Sequence, residues 1–306
     1  MTPSLGSQER PVESDTGFEI VRLEPIGVEV RGLDLRGRIP PDVWRDLRET
    51  VVREGIVLFR EQPLTTPEQV ALGQRFGALE NTSLDGGEID ESSFLLSNVG
   101  ADGALLPADA IELKLVAINE GWHTDSSFRD IAASFSLFSG VVVPNVGGDT
   151  FFASLQRGWD ALSAAEQEEL IGLVGHHNYD RAYQSRGVDM SDYFGGAAPS
   201  ATHPVARVHP ESRRVGLFVS EHLYAIEGME AASAEKQIRR LLDVCTEPER
   251  VYRHRWTAGD LLIWDNRSML HKAEGFDTSH PRVMRHVRIA GTEPGIAATS
   301  LGERRE

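Results

Sequence analysis

From about residue 80 onward the apolar residues come in short, β-branched runs, with Gly, Pro, Asp and Asn recurring between them. "SSFLLSNVG", "IELKLVAI", "GWHTDSSF", "ASFSLFSGVVV", "GGDTFFAS", "RVGLFVS", "ERVYRHRW", "DLLIWDNR" and "MRHVRIAG" all read as strands. Many short strands with turn signals between them restrict the chain to a β-sandwich or barrel. Two predicted helices, roughly 155–174 and 231–246, interrupt the strands. Packed outside, they make the fold α+β, mainly β.

Upstream, "FEIVRLEPIGVEVRGLDL" (18–35) alternates around a Pro25–Gly27 break and predicts a hairpin. "PPDVWRDLRETVVREG" (40–55) places Val43, Trp44, Leu47 and Val51 on one helical face, with Asp42 near its start and Gly55 past its end. "GIVLFRE" follows as a buried strand. "TPEQVALGQRFG" is then a second helix, with Thr66 and Gln69 spaced as a capping box, Pro67 at its first position and Gly77 as terminator.

At 306 residues and 40% apolar, the chain can bury a sizeable core. Its charge of −16 argues against a nucleic-acid or anionic-membrane partner. The single cysteine, Cys245, excludes an intramolecular disulfide and any CxxC motif, and it reads as a buried helical packing residue. The N-terminus lacks the basic and apolar regions of a signal peptide, and no apolar run approaches about 18 residues, so a cytoplasmic protein is expected. Residues 1–16 read as a tail, 17–296 as one domain and 297–306 as a second tail. The stretch 183–204 reads as a long lid or binding loop.

Within "EGWHTDSSF" (120–128), His123 and Asp125 stand two apart in a predicted strand and so share one face. An imidazole and a carboxylate so placed can be two corners of a metal polyhedron. Two histidines and one carboxylate form the face of non-haem ferrous sites, which leaves positions open for substrate and oxygen. Taken alone, the pair fits better a plain hydrogen bond from His123 to Asp125 or to a backbone carbonyl. Among the other histidines, His176 and His177 straddle a strand. His203, His209 and His280 each precede a proline and read as loop residues, while His254 reads as a solvated strand residue. His222, His271 and His286 remain. His271 follows the strand "LLIW" and a polar bend at 265–267, a delivery that suits a barrel interior. Arg282 comes eleven residues later. Its planar fork can pair with a carboxylate through two parallel hydrogen bonds.

"WHTD", "GGDT", "WDNRSMLH" and an arginine eleven residues past that histidine, in this order, resemble the TauD/TfdA family of iron(II)- and 2-oxoglutarate-dependent dioxygenases. The likeness runs from about residue 18 to 292 and implies a double-stranded β-helix, or jelly roll. "VHPESRRVGLFVSEHLYAIEGM" and "RVYRHRWTAGDLLIWDNRSMLHKAEGFD" look most like the aryloxyalkanoate (chlorophenoxypropionate) dioxygenase group. The resemblance implies His123, Asp125 and His271 as the catalytic iron ligands. It implies Thr150 and Arg282 as the residues that hold the distal carboxylate of 2-oxoglutarate. It further implies Fe(II), 2-oxoglutarate and O2 as cofactor and co-substrates, and oxidation of an unactivated C–H bond in a small, anionic substrate with release of succinate and CO2. A homo-oligomer is compatible with it. Asp125 argues against halogenation, because related halogenases replace this carboxylate. Taurine dioxygenase carries an arginine four residues past the 2-oxoglutarate arginine, whereas this chain has His286, which speaks against taurine. Arg288 shares the face of His286 by strand periodicity. Asn119 and Ser126 match positions that contact substrate in relatives, and Glu221–His222 stands where that group has a basic pair. Glu221 there would repel an anion or select a cation. Two alternatives use the same residues: a zinc hydrolase on the His/Asp/His set, and a non-catalytic small-molecule binder.

Overall fold

Alternation along the strands of the large sheet sorts side chains to an outer and an inner face, and the functional residues lie on the inner side. The computed structural model describes residues 11–12, 17–81, 93–107, 109–110, 112–114, 118–184 and 198–300. The chain opens with β1 (Pro11–Val12), β2 (Glu19–Arg22) and β3 (Val28–Arg31), followed by α1 (Pro41–Glu54), β4 (Ile56–Phe59) and α2 (Thr66–Gln74). Next come β5 (Phe94–Ser97), β6 (Phe135–Val142), β7 (Thr150–Ser154), α3 (Leu155–Asp160), α4 (Ala164–Leu170) and β8 (Val174–Asn178). Then follow α5 (Arg181–Gln184), β9 (Ser200–Pro204), β10 (Ala206–Val208), β11 (Val215–Leu217), β12 (Leu223–Ile226) and α6 (Ala231–Cys245). The chain closes with β13 (Val251–His254), β14 (Leu261–Asp265), β15 (Met269–Ala273), β16 (Val283–Ile289) and β17 (Ile296–Ala297).

The large sheet runs β1-β2-β3-β4-β14-β6-β16-β5 and is antiparallel except for the β3–β4 pair. A second sheet, β13-β7-β15, packs against its inner face. Leu261 and Ile263 of β14, Val57 and Phe59 of β4, and Val287 and Ile289 of β16 point outward, to a core covered by α1 and α2. Their neighbours Leu262, Trp264, Ile56, Leu58 and Met284 point inward, to meet Phe152, Tyr252 and Met269 of the second sheet. Phe152 and Trp264 meet edge to face at 5.4 Å. Truncating either to alanine costs about 3–5 kcal/mol by cavity formation. A third core joins α3 and α6 to β10–β12 and includes Cys245, which is fully buried. The fold is a mainly β jelly roll with flanking helices. None of its described helices is long and apolar enough to cross a membrane.

The hairpin forms as expected, with Arg22 opposite Val28 and Gly27 at φ +91°. Helix α1 begins at Pro41 without a side-chain cap and ends at Gly55, whose φ of +80° only glycine adopts cheaply. The α2 capping box lies one residue earlier than expected, between Thr65 and Glu68. Gln69 is instead buried and donates to the carbonyls of Leu137 and Arg285. Helix 155–174 is in fact two helices, because Ser163 caps a new one through Glu166. Residues 112–114 of "IELKLVAI" are helical rather than extended. The 183–204 segment is ordered at both ends by α5 and β9, and 185–197 lies outside the described residues. Strands β8, β9 and β12 form a flanking sheet, β12-β8-β9, that the Gly- and His-rich sequence concealed, and β10 lies between β11 and β17 in another.

Candidate active site

"GWHTDSSF" is not a strand. His123 makes one isolated bridge, giving and taking backbone hydrogen bonds with His271 at 2.9 and 2.8 Å. The chain then turns through Ser126, at φ +59°. Asp125 is aimed by side-chain contacts rather than by strand alternation. Thr124 Oγ1 donates to the Asn266 carbonyl at 2.5 Å, and the Asp125 amide donates to Asn266 Oδ1 at 3.3 Å.

The donor atoms of His123, Asp125 and His271 all lie within 4.8 Å of one another, and all three residues are buried. His123 Nδ1 sits 2.7 Å from the Gly121 carbonyl. Donation there leaves the Nε2 lone pair for a ligand. His271 Nδ1 is buried with no hydrogen-bond partner. Ser136 Oγ donates to Asp125 Oδ2 at 2.7 Å, while Oδ1 lies on the side of His271 Nε2, 3.9 Å away. Burial alone would raise the Asp125 pKa, but His286, His271 and Arg288 together hold the carboxyl well below its ordinary range. Burial pushes His271 well below its usual value and His286 down to about 3, so both rings are neutral at pH 7. Neutral imidazoles beside an ionised carboxylate are the protonation states a divalent metal requires.

On β16, Met284, His286 and Arg288 occupy alternate positions and look into the space between the sheets, while Arg282 lies just before the strand, whose register against β6 shifts between Val283 and Met284. The His286 ring packs 4.8 Å from Phe94, 5.2 Å from Phe138 and 5.5 Å from Trp264, and its Nε2 is 3.6 Å from Asp125 Oδ2. Arg288 Nε lies 3.1 Å from Glu80 Oε2, and its Nη1 is 3.7 Å from Asp125 Oδ1. Ser126 Oγ donates to the same Glu80 carboxylate at 2.9 Å, so this hydroxyl is engaged within the protein. The His222 ring stacks on Tyr179 at 5.8 Å and stands 6.2 Å from the His123 ring. Asn119 sits half-buried on the 3-10 turn at 118–120. Glu221 receives the Trp122 amide at 3.3 Å.

Thr150 and Arg282 form a second group. In the β13-β7-β15 sheet, Thr150 is opposite His254 and Ala273, and Phe152 is opposite His271, so Thr150 and His271 share the inner face. Arg282 is 4% exposed and donates from Nη2 to the Gly148 carbonyl at 3.1 Å, while its Nε has no partner. Burial lowers its pKa to about 10 despite Asp149, which leaves it charged at pH 7. A buried guanidinium with donors to spare calls for an anion. Thr150 Oγ1 accepts the Trp256 indole N–H at 2.9 Å, which turns the threonine's own proton away.

Sequence reasoning misplaced His203 and His254, and it placed His209 in a loop without foreseeing its burial. His203 is buried on β9, where its Nε2 contacts the Ser127 and Arg129 carbonyls. His209 is buried beside Asp265, at 3.0 Å. His254 is buried rather than solvated, 3.2 Å from Asp260. His176 and His177 straddle β8 as expected, and His280 lies on an exposed loop. Ser136, Asn266, Trp256 and Glu80 were missed, because nothing in their local sequence names a partner.

The chain matches the family described as "Taurine catabolism dioxygenase TauD, TfdA family" over residues 19–288. It belongs to the TauD/TfdA family. Among TauD/TfdA relatives, the (S)-phenoxypropionate/alpha-ketoglutarate-dioxygenase of Sphingobium herbicidovorans is 34% identical over 274 residues, covering 87% of this chain and 90% of that protein. The alpha-ketoglutarate-dependent 2,4-dichlorophenoxyacetate dioxygenase of Cupriavidus pinatubonensis is 35% identical over 263 residues, covering 84% and 91%. AAD-2, crystallised with Mn(II) and N-oxalylglycine, superposes with a TM-score of 0.84 at 32% identity, covering 90% of this chain and 99% of that one.

Proposed function

We propose that His123, Asp125 and His271 hold Fe(II) and that Arg282 and Thr150 hold the distal carboxylate of 2-oxoglutarate. The reaction class is that of the family: the chain is a 2-oxoglutarate-dependent dioxygenase acting on a small molecule. The observation that carries the metal assignment is the meeting, within 4.8 Å, of three buried donors, two from the His123–Asp125 turn and one, His271, from β15 far along the chain. The metal, with 2-oxoglutarate and O2, supplies an oxidant able to break an unactivated C–H bond and leaves succinate and CO2. The protein's share is to orient and to keep water out. Phe152 and Trp264 pack against the His271 ring at 6.1 and 4.8 Å, fixing its plane in an apolar wall.

The names of the two relatives point to an aryloxyalkanoate-like acid as substrate. Phe94, Phe138, His286, His222 and Tyr179 give this chain an aromatic wall near Asp125 suited to such a ring, with Arg288 as its charged member. His286, His222, Asn119, Ser126 and Arg288 are the residues from which substrate contacts are drawn. A cytoplasmic setting and self-association complete the reading. Succinate release in the presence of O2 and Fe(II) across aryloxy acids, sulfonates, sulfate esters and amino-acid derivatives tests it, with His123→Ala expected to abolish turnover. No succinate from any of them, together with zinc-supported hydrolysis, would overturn it.

A further inference from the structure

Asp125 has two oxygens, and the protein treats them differently. Oδ2 receives Ser136 Oγ–H at 2.7 Å, and Oδ1 is the oxygen on the His271 side. A serine hydroxyl has one proton, so it matters what forces that proton toward Asp125. Ser136 Oγ also lies 2.9 Å from Asn266 Nδ2. Asn266 in turn has its Oδ1 2.8 Å from Trp264 Nε1. An indole N–H can only donate, so the Asn266 atom facing it must be the oxygen. The amide nitrogen then faces Ser136 and donates to it, which leaves the serine proton a single acceptor, Asp125. The order Trp264, Asn266, Ser136, Asp125 is thus a chain of hydrogen bonds with one allowed direction. It is built on paired strands, with Ser136 of β6 opposite Trp264 of β14, and each of these residues is 0–1% exposed except Asp125, at 5%. Asn266 also takes the Asp125 amide on its side chain and the Thr124 hydroxyl on its carbonyl, so it grips the His-x-Asp turn at both residues.

We infer that Ser136 and Asn266 are positioning residues that occupy Oδ2 and so present Asp125 to the metal through Oδ1 alone. The inference rests on the proposed metal triad. Hydrogen bonds to ligating groups set ligand orientation, and their loss costs about 10–100-fold in metal affinity. Asn266→Asp keeps the volume but reverses the chain: an aspartate accepts the serine proton, takes it from Asp125 and sets a second negative charge beside it.

The test is titration of the metal-free full-length chain with Mn(II) alone, with thermal melting in chelator as the fold control. Ser136→Ala and Asn266→Asp are each expected to weaken Mn(II) binding about 10–100-fold. In the double variant the two losses should be less than additive, because the part of the Asn266→Asp effect that runs through the Ser136 hydroxyl is already gone, whereas independent structural roles would add. Should Ser136→Ala melt early, the volume-preserving Asn266→Asp carries the comparison. Wild-type binding with both single variants within twofold of it overturns the inference and leaves the triad standing, as does full additivity in the double variant. Failure of wild type itself to bind Mn(II) more tightly than His123→Ala overturns the triad reading instead.

Discussion

Replacing Arg282 with lysine isolates the worth of the guanidinium fork. The backbone has reason to stay in place, because the Arg282 amide donates to Asn98 Oδ1 at 2.7 Å and Asn98 Nδ2 is tied to the Thr278 and His280 carbonyls. The side chain is another matter. Arg282 spends Nη2 on the Gly148 carbonyl at 3.1 Å, keeps Nε unpaired, and lies 5.3 Å above the Phe276 ring. An arginine in that position can hold Gly148 and still offer two parallel donors to a carboxylate, whereas the three donors of an ammonium diverge from one nitrogen and give no parallel pair. The loss is one charge-assisted hydrogen bond, worth about 1.5–3 kcal/mol. At about 1.4 kcal/mol per factor of ten, 2-oxoglutarate should bind about 10- to 150-fold more weakly. The assay is anaerobic titration of 2-oxoglutarate into the Mn(II)-loaded chain, which needs no knowledge of the oxidised substrate. Affinity within twofold of wild type would show that the fork does not receive the carboxylate.

Gly148 stands at φ +74°, and a Cβ there would lie 2.8 Å from Arg282 Nε. Gly148→Ala should therefore mimic Arg282→Lys in the same titration while costing about 1–2 kcal/mol of stability from the left-handed backbone, read as a lower melting temperature. Trp256→Phe removes the donor that orients Thr150, together with part of a ring packed on Phe138 and His254, so its melting temperature is read alongside. It should weaken 2-oxoglutarate binding by about 2- to 10-fold, the worth of one neutral hydrogen bond of about 0.5–1.5 kcal/mol. Asp265 is fully buried against Arg267 and His209, which hold its carboxyl well below the ordinary range although burial alone would raise it. A depressed folded pKa gives stability that is present above the unfolded value of about 3.9 and is lost as pH falls. Melting should decline as the pH drops below about 5, and Asp265→Asn should flatten that decline while costing about 3–5 kcal/mol at pH 7 by stranding buried charge.

The parts of this molecule that sequence revealed are those where information is local. Period-two alternation named most strands of both facing sheets, though not β15, and His-x-Asp, the bend before His271 and the spacing to Arg282 are contiguous or ordered signals. The parts that stayed hidden depend on which strand lies beside which. His209 read only as a loop residue and His254 as a solvated one because their partners, Asp265 at the end of β14 and Asp260 just before its start, are far off in sequence. Ser136 is one serine among many until β6 pairs with β14 and puts it opposite Trp264. The α2 cap shows the same limit on a smaller scale. Thr65/Glu68 and Thr66/Gln69 both satisfy the capping pattern, and the choice is settled by tertiary need, since Gln69 must reach the carbonyls of Leu137 and Arg285.

The turn between β14 and β15 shows how closely stability and chemistry can adjoin without merging. Asp265 continues the outward register of Leu261 and Ile263, and there it meets His209, Arg267 and, through Glu211, Arg48 of α1. Asn266 is turned the other way, into the space between the sheets, where it holds Thr124, Asp125 and Ser136. One network braces the helix-covered face, and the other sets the angle of a carboxylate. Adjacent substitutions should therefore separate cleanly. Asp265→Asn should lower the melting temperature more than it weakens Mn(II) binding, and Asn266→Asp should do the reverse. A shared response at both positions would mean that the bend transmits strain as one unit, so that the outer ion network itself aims Asp125.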